Sequence, residues 1–213
     1  HEPETVEVTV LKVWDDADDQ DGKRPTELKV TLSNGDEYTL TEANDWTATV
    51  ENLPKYADGE EIVYTWTEDE EGLPEGYELT SNETVGYVTT LTNSYEPETV
   101  EIEITKTWDD AENQDGIRPD HVDVKLLAND EFLQTVRLEK STDYSAKIEN
   151  LPKYAEGEAI AYSFEEYPVD GYELDEDETT AEQDEDGNWT ISLVNTHEPE
   201  TVEVTVLKVW DDA

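Results

Sequence analysis

Three polar residue types recur on the apolar side of short alternating segments, and together they could form a covalent bond. Successive side chains of a strand point to opposite faces, so residues two apart share one. Val6, Val8, Val10, Lys12 and Trp14 therefore lie on one face, as do Val100, Ile102, Ile104, Lys106 and Trp108. Val202 through Lys208 to Trp210 repeats the pattern. A second stripe runs Ile62, Tyr64, Trp66 and ends on Glu68, and its counterpart runs Ile160, Tyr162, Phe164 and ends on Glu166. Glu165 has the opposite parity and points outward. The last stripes end with Leu91 then Asn93, and with Ile191, Leu193 then Asn195. Each set aims one Lys, one Glu and one Asn into a core, where unpaired polar groups cost roughly several kcal/mol each. Two arrangements satisfy them. One is a buried Lys–Glu ion pair with an Asn hydrogen-bonded beside it. The other is an amide between the Lys amine and the Asn side chain. Burial favours the neutral amine, which can attack the carboxamide carbon while a buried carboxyl polarises the carbonyl and carries protons to the departing ammonia.

The elements that position these residues come as repeats. HEPETVEVTVLKVWDDA occupies residues 1–17 and again 197–213, and YEPETVEIEITKTWDDA occupies 95–111. Further matched segments follow in register: Gly22-Lys23-Arg24-Pro25 with Gly116-Ile117-Arg118-Pro119, and ENLPKYA at both 51–57 and 149–155. Gly76-Tyr77-Glu78 answers Gly171-Tyr172-Glu173. The domains expected are a repeat A over residues 1–96, a repeat B over 97–198, and the first strand of a further repeat A over 199–213, so the array alternates A and B. Glu-Pro-Glu at each junction reads as a stiff, acidic spacer. Period-two apolar runs such as Leu28, Val30, Leu32, separated by Asp-Gly, Asn-Gly and Leu-Pro turns, make each repeat an all-β sandwich.

The ordered set Lys-x-Trp-Asp-Asp, Gly-x-Arg-Pro, Leu-Pro-Lys-Tyr, Tyr-x-x-x-Glu, Gly-Tyr-Glu and a terminal Asn resembles the B-type repeat of the collagen-binding adhesin, the Cna B-type domain of Gram-positive surface adhesins and pili. The resemblance covers essentially all of both repeats. It implies tandem inverse-immunoglobulin-type sandwiches of about seven strands in an elongated array, with a Lys–Asn isopeptide bond between first and last strands. The linking pairs fall on Lys12 with Asn93 and Lys106 with Asn195, and the assisting acids on Glu68 and Glu166. The surface is more acidic than the family leads one to expect.

Composition excludes several other functions. With 58 Asp and Glu against 13 Lys and Arg, the net charge is −45, which rules out general affinity for nucleic-acid phosphates and disfavours an anionic membrane surface. There is no Cys for a disulfide, thiolate or zinc ribbon, and no apolar run long enough to span a bilayer. The absence of Met and of a leader at His1 leads to the expectation of a piece of a longer chain. Residues 15–22 and 109–116 invite a calcium reading, but setting Gly22 or Gly116 at the invariant EF-hand glycine puts Ala17 or Ala111 at the first ligand position. No cofactor is expected; an irregular calcium site stays open, and the preferred reading is a solvated acidic loop. The expected function is a stalk module of an extracellular, cell-wall-attached fibre, not an enzyme beyond one self-directed cross-linking event. Its partners are neighbouring repeats and neighbouring chains, and the last strand, residues 199–213, is expected to pack in extended form at the bottom of the second repeat or against a neighbouring chain. A binding module that recognises a host or partner protein is the alternative.

Overall fold

The computed structural model of the chain describes residues 3–211. The chain divides into two compact units, one of residues up to Glu98 together with Pro152–Ala159, the other of Thr99–Leu151 with residues from Ile160 onward. Both are built almost wholly of strands, as the alternating pattern requires.

In the first repeat the strands are β1 (Thr5–Asp15), β2 (Glu27–Leu32), β3 (Glu37–Thr41), β4 (Thr47–Pro54), β5 (Tyr56–Ala57), β6 (Glu60–Glu61), β7 (Trp66–Glu68), β8 (Glu78–Val85) and β9 (Val88–Ser94). Setting aside the tiny β5–β6 hairpin leaves seven, the number the family resemblance implies. They form one sheet in the order β4-β1-β9-β8 and a second in the order β3-β2-β7. Between the sheets lie Val8, Val10, Leu28, Val30, Leu32, Leu40, Trp66 and Leu91. The alternation seen in the sequence is thus the alternation between core and solvent.

The second set repeats the plan: β10 (Thr99–Asp109), β11 (His121–Ala128), β12 (Glu131–Glu139), β13 (Ser145–Pro152), β14 (Tyr154–Ala155), β15 (Glu158–Ala159), β16 (Tyr162–Glu166), β17 (Glu173–Leu174), β18 (Thr180–Gln183) and β19 (Trp189–Thr196). One sheet runs β13-β10-β19-β17 with β18 also on β19, and the other β12-β11-β16. Here the edge strand is broken into β17 and β18. The intervening Asp175 turns the chain, its carboxylate accepting the backbone N–H groups of Asp177 and Glu178.

The first and last strands of each repeat are parallel neighbours. Lys12 pairs with Leu91 and Trp14 with Asn93; Lys106 pairs with Leu193 and Trp108 with Asn195. Parallel neighbours cannot be joined by a tight turn, so the rest of the repeat serves as the crossover. The pairing brings residues roughly 80 to 90 apart in sequence onto one face.

Two expectations need correction. The stripes ending on Glu68 and Glu166 are shorter as strands than their periodicity suggests, because Ile62, Tyr64 and Ile160 precede β7 and β16. Residues 201–211 form no strand and do not pack on the second repeat: Val202, Val204, Val206, Leu207, Val209 and Trp210 are 73% to 89% exposed. The strand that β1 becomes needs a β4 and a β9 beside it, and among the described residues no such pair lies against 201–211. Asp212 and Ala213 lie outside the described residues, as do His1 and Glu2 of the first copy.

Candidate functional site

Lys12 and Asn93 come from adjacent strands of one sheet, and Glu68 comes from β7 of the facing sheet, where it pairs with Val30. The three side chains meet in the sandwich interior. Asn93 Oδ1 accepts a hydrogen bond from Lys12 Nζ at 2.6 Å, and Asn93 Nδ2 donates to Glu68 Oε1 at 2.7 Å. Lys12 Nζ is 3.7 Å from Glu68 Oε2, and the side chains of both residues are fully buried. The amine also donates to the carbonyls of Leu91 and Val13 at 3.2 and 3.1 Å.

In the second repeat Asn195 Nδ2 donates to Glu166 Oε1 at 2.6 Å, and Lys106 Nζ stands 3.3 Å from Glu166 Oε2. Lys106 Nζ and Asn195 Oδ1 are buried without a hydrogen-bond partner. Glu165, as its parity requires, is outside, where it accepts from Lys125. All six residues singled out in the sequence are therefore brought together, three in each repeat. Burial, opposed by the nearby glutamate, pushes each lysine down to about 8. A usable fraction of neutral amine is then present near neutral pH. One glutamate touches both the amine and the carboxamide nitrogen, so it can take a proton from the first and deliver one to the second.

The loop after the first strand of each repeat is solvated, as expected, along most of its length, with Ala17, Asp18 and Glu112 exposed, but part of it turns inward. Asp16 and Asp110 are almost completely buried, and so is Asp21. Asp16 is held by Arg24 through both oxygens at 2.9 and 2.6 Å and by the Tyr77 hydroxyl at 2.8 Å. Asp110 is held by Arg118 at 2.7 and 2.5 Å and by the Tyr172 hydroxyl at 2.8 Å. The guanidinium beside it, together with a backbone N–H and that hydroxyl, outweighs burial and keeps the Asp110 carboxyl far below the ordinary range. Asp16 also accepts from the Asp19 amide and Asp110 from that of Asn113, which closes a left-handed turn in each loop. That turn holds Ala17, Asp18 and Asp19 near φ 52° to 60°. Sequence reasoning passed over this cluster, although its signal was present: Trp-Asp-Asp, Gly-x-Arg-Pro and Gly-Tyr-Glu recur together in both repeats.

The Glu-Pro-Glu junctions are also tied down. Asp21 accepts from the Tyr95 hydroxyl and the Glu98 amide, both at 2.8 Å. Asp115 does the same for His197 Nε2 at 3.1 Å and the Glu200 amide at 2.8 Å. His197 Nδ1 lies 2.7 Å from the Gly171 carbonyl, which only accepts, so both ring nitrogens carry protons when both bonds form. The Asp115 carboxylate raises His197 above its ordinary value of 6.5. The latch is therefore complete below that value and is lost as pH rises through the raised one. Amide exchange at Glu200, corrected for its intrinsic rate, should show protection that falls with pH in this window. His197→Tyr, which installs the residue found at 95, should flatten that dependence; unchanged protection in the unsubstituted chain across the window would show that the latch does not titrate.

The Cna protein B-type domain model matches residues 8–94 and 102–196. The chain is 38% identical over 216 aligned residues to a collagen adhesin of Staphylococcus aureus, covering 99% of this chain and 17% of that protein. Among solved structures, two B repeat units (B1B2) of the collagen binding protein of Staphylococcus aureus superpose with a TM-score of 0.75 at 36% identity, over 89% of this chain and 50% of that one. With its matched sandwiches, its repeated motifs and two model matches over most of its length, the chain belongs to the Cna protein B-type domain family.

Proposed function

We propose that each repeat is a stalk module of a cell-surface adhesin or fibre, locked by a Lys–Asn isopeptide bond that it forms itself. The observation that supports this is the position of one buried glutamate between the lysine amine and the asparagine carboxamide nitrogen in both repeats. The neutral amine of Lys12 or Lys106 attacks Cγ of Asn93 or Asn195. The new N–C bond replaces the Cγ–Nδ2 bond, the glutamate moves a proton from the amine to Nδ2, and one ammonia leaves. The glutamate ends as it began, so no cofactor is called for, but product and catalyst are one chain and there is no turnover. The collagen adhesin relative supports an extracellular, cell-wall location and neighbouring repeats as partners. Most of the aromatic rings pack in or against the two cores, which favours a stalk over an adhesive face.

Intact mass tests the reading. The folded chain should weigh less than its sequence by two ammonia equivalents, one for each repeat. Lys12→Ala should restore one of them. A folded chain of unmodified mass reduces both sites to ordinary ion pairs.

A further inference from the structure

Each reacting lysine has a wall. The indole of Trp14 lies 4.4 Å from Lys12 Nζ, and that of Trp108 lies 5.1 Å from Lys106 Nζ, measured to the ring centroids. The ring is itself held edge-on from two sides. Trp46 and Tyr77 contact Trp14 at 5.1 and 5.4 Å, and Tyr144 and Tyr172 contact Trp108 at 5.1 and 4.6 Å. Tyr77 and Tyr172 are in turn fixed through their hydroxyls to Asp16 and Asp110, which Arg24 and Arg118 grip. An unbroken chain of contacts thus runs from the loop to the amine, with different residues at one place (Trp46 against Tyr144) and the same geometry.

Packing alone does not explain the indole. Trp14 Nε1 and Trp108 Nε1 are both buried without a hydrogen-bond partner, a cost that a phenyl ring would avoid. Trp66 bears the same cost, and there the other repeat does substitute Phe164. Beside the lysine both repeats keep Trp. The indole is the broadest ring face a side chain offers, and it covers the lysine head and shields it from water whether or not the amine is protonated. The Lys-x-Trp spacing sets the contact by itself, because Lys208 Nζ lies 4.7 Å over Trp210 in the exposed segment with no fold around it.

Resting on the isopeptide reading above, we infer that Trp14 and Trp108 are positioning residues for the bond-forming step: the clamped indole face captures the lysine head and holds Nζ at the asparagine carboxamide while keeping water from it. The lysine stem is a flexible chain of four carbons, and capture by a fixed ring supplies the proximity that amide exchange needs. The glutamate moves the proton; the tryptophan fixes the nitrogen.

The full chain, kept in denaturant from synthesis onward and then diluted into buffers of different pH, gives the test. Ammonia loss is followed over time by mass spectrometry of the peptides that carry Lys12 with Asn93 and Lys106 with Asn195, so the second repeat is the control for the first. Trp14→Leu should slow the first repeat about tenfold or more, and Trp14→Phe should recover only part of that rate, because its smaller ring covers less of the amine. The slowing should persist well above pH 8, where Lys12 is already neutral, because it reflects placement and not protonation. Circular dichroism and a cooperative thermal transition of the first repeat itself confirm that both variants fold. Equal rates in the two repeats of Trp14→Leu overturn the inference, and so does slowing that vanishes at alkaline pH. Absence of ammonia loss from the unsubstituted chain overturns the bond itself, and the inference with it.

Discussion

Glu68→Ala should leave the first repeat folded and unlinked, and lower its thermal midpoint by roughly 20 to 35 °C while the second repeat keeps its own. The substitution removes the proton carrier and neither linking atom, so Lys12 and Asn93 stay side by side as separate residues. Lys12 keeps the carbonyls of Leu91 and Val13 as acceptors, which spares its amine the full cost of isolation. What is lost is the closure of a chain loop across a sequence separation of 81 residues. In the chain-entropy account such a closure restricts the unfolded state by about 4.5 kcal/mol, and each kcal/mol shifts the midpoint of a domain this size by about 4 to 8 °C. Calorimetry on the full chain resolves the two repeats, and intact mass must show one ammonia retained. A midpoint for the first repeat that moves by only a few degrees, with one ammonia retained, would mean that the bond contributes little to stability. Loss of both ammonia equivalents in Glu68→Ala would remove Glu68 from the mechanism.

The burial of the lysine, glutamate and asparagine was legible in the sequence because strand parity is strict. A lysine in phase with three valines has one direction to point, and Lys12, Glu68 and Asn93 are buried together as that phase demands. Parity also separated Glu166 from Glu165, which the structure places inside and outside. The pairing of β1 with β9 was legible only through the family resemblance, because nothing local encodes which distant strand a strand will meet. The buried Asp16 and Asp110 were missed for a related reason. In a chain with 58 acids, an aspartate in an acidic loop carries no signal of its own, and its partner Arg24 or Arg118 sits across a turn whose left-handed backbone is not written in residue type. Residues 201–211 fail in the opposite way. Their pattern is that of β1, but the ladder that makes β1 a strand is supplied by other segments, and a pattern without its neighbours stays exposed.

Force applied along the chain should bypass the folded body of each linked repeat. Lys12 and Asn93 both sit near the C-terminal ends of two parallel neighbours, β1 and β9. With the proposed bond formed, tension entering through Thr5 should run along β1 to Lys12, cross the amide to Asn93, and leave through Ser94 into the junction. The residues between Lys12 and Asn93 lie outside that path, and the hydrogen-bond ladder between β1 and β9 bears no load. Without the bond the same pull shears β1 from β9, and the whole of the enclosed chain, 81 residues by separation, is released. At roughly 3.3 to 3.6 Å per residue this is a lengthening of about 280 Å. Single-molecule pulling on the unsubstituted chain should show no step of that size from either repeat up to forces that break covalent attachments. Lys12→Ala should produce one such step per molecule, assigned to the first repeat, while the second stays closed. Steps of full module length from the unsubstituted chain would show that load travels through the ladder after all. The stalk reading would then lose its mechanical basis, even if the mass had shown both bonds formed.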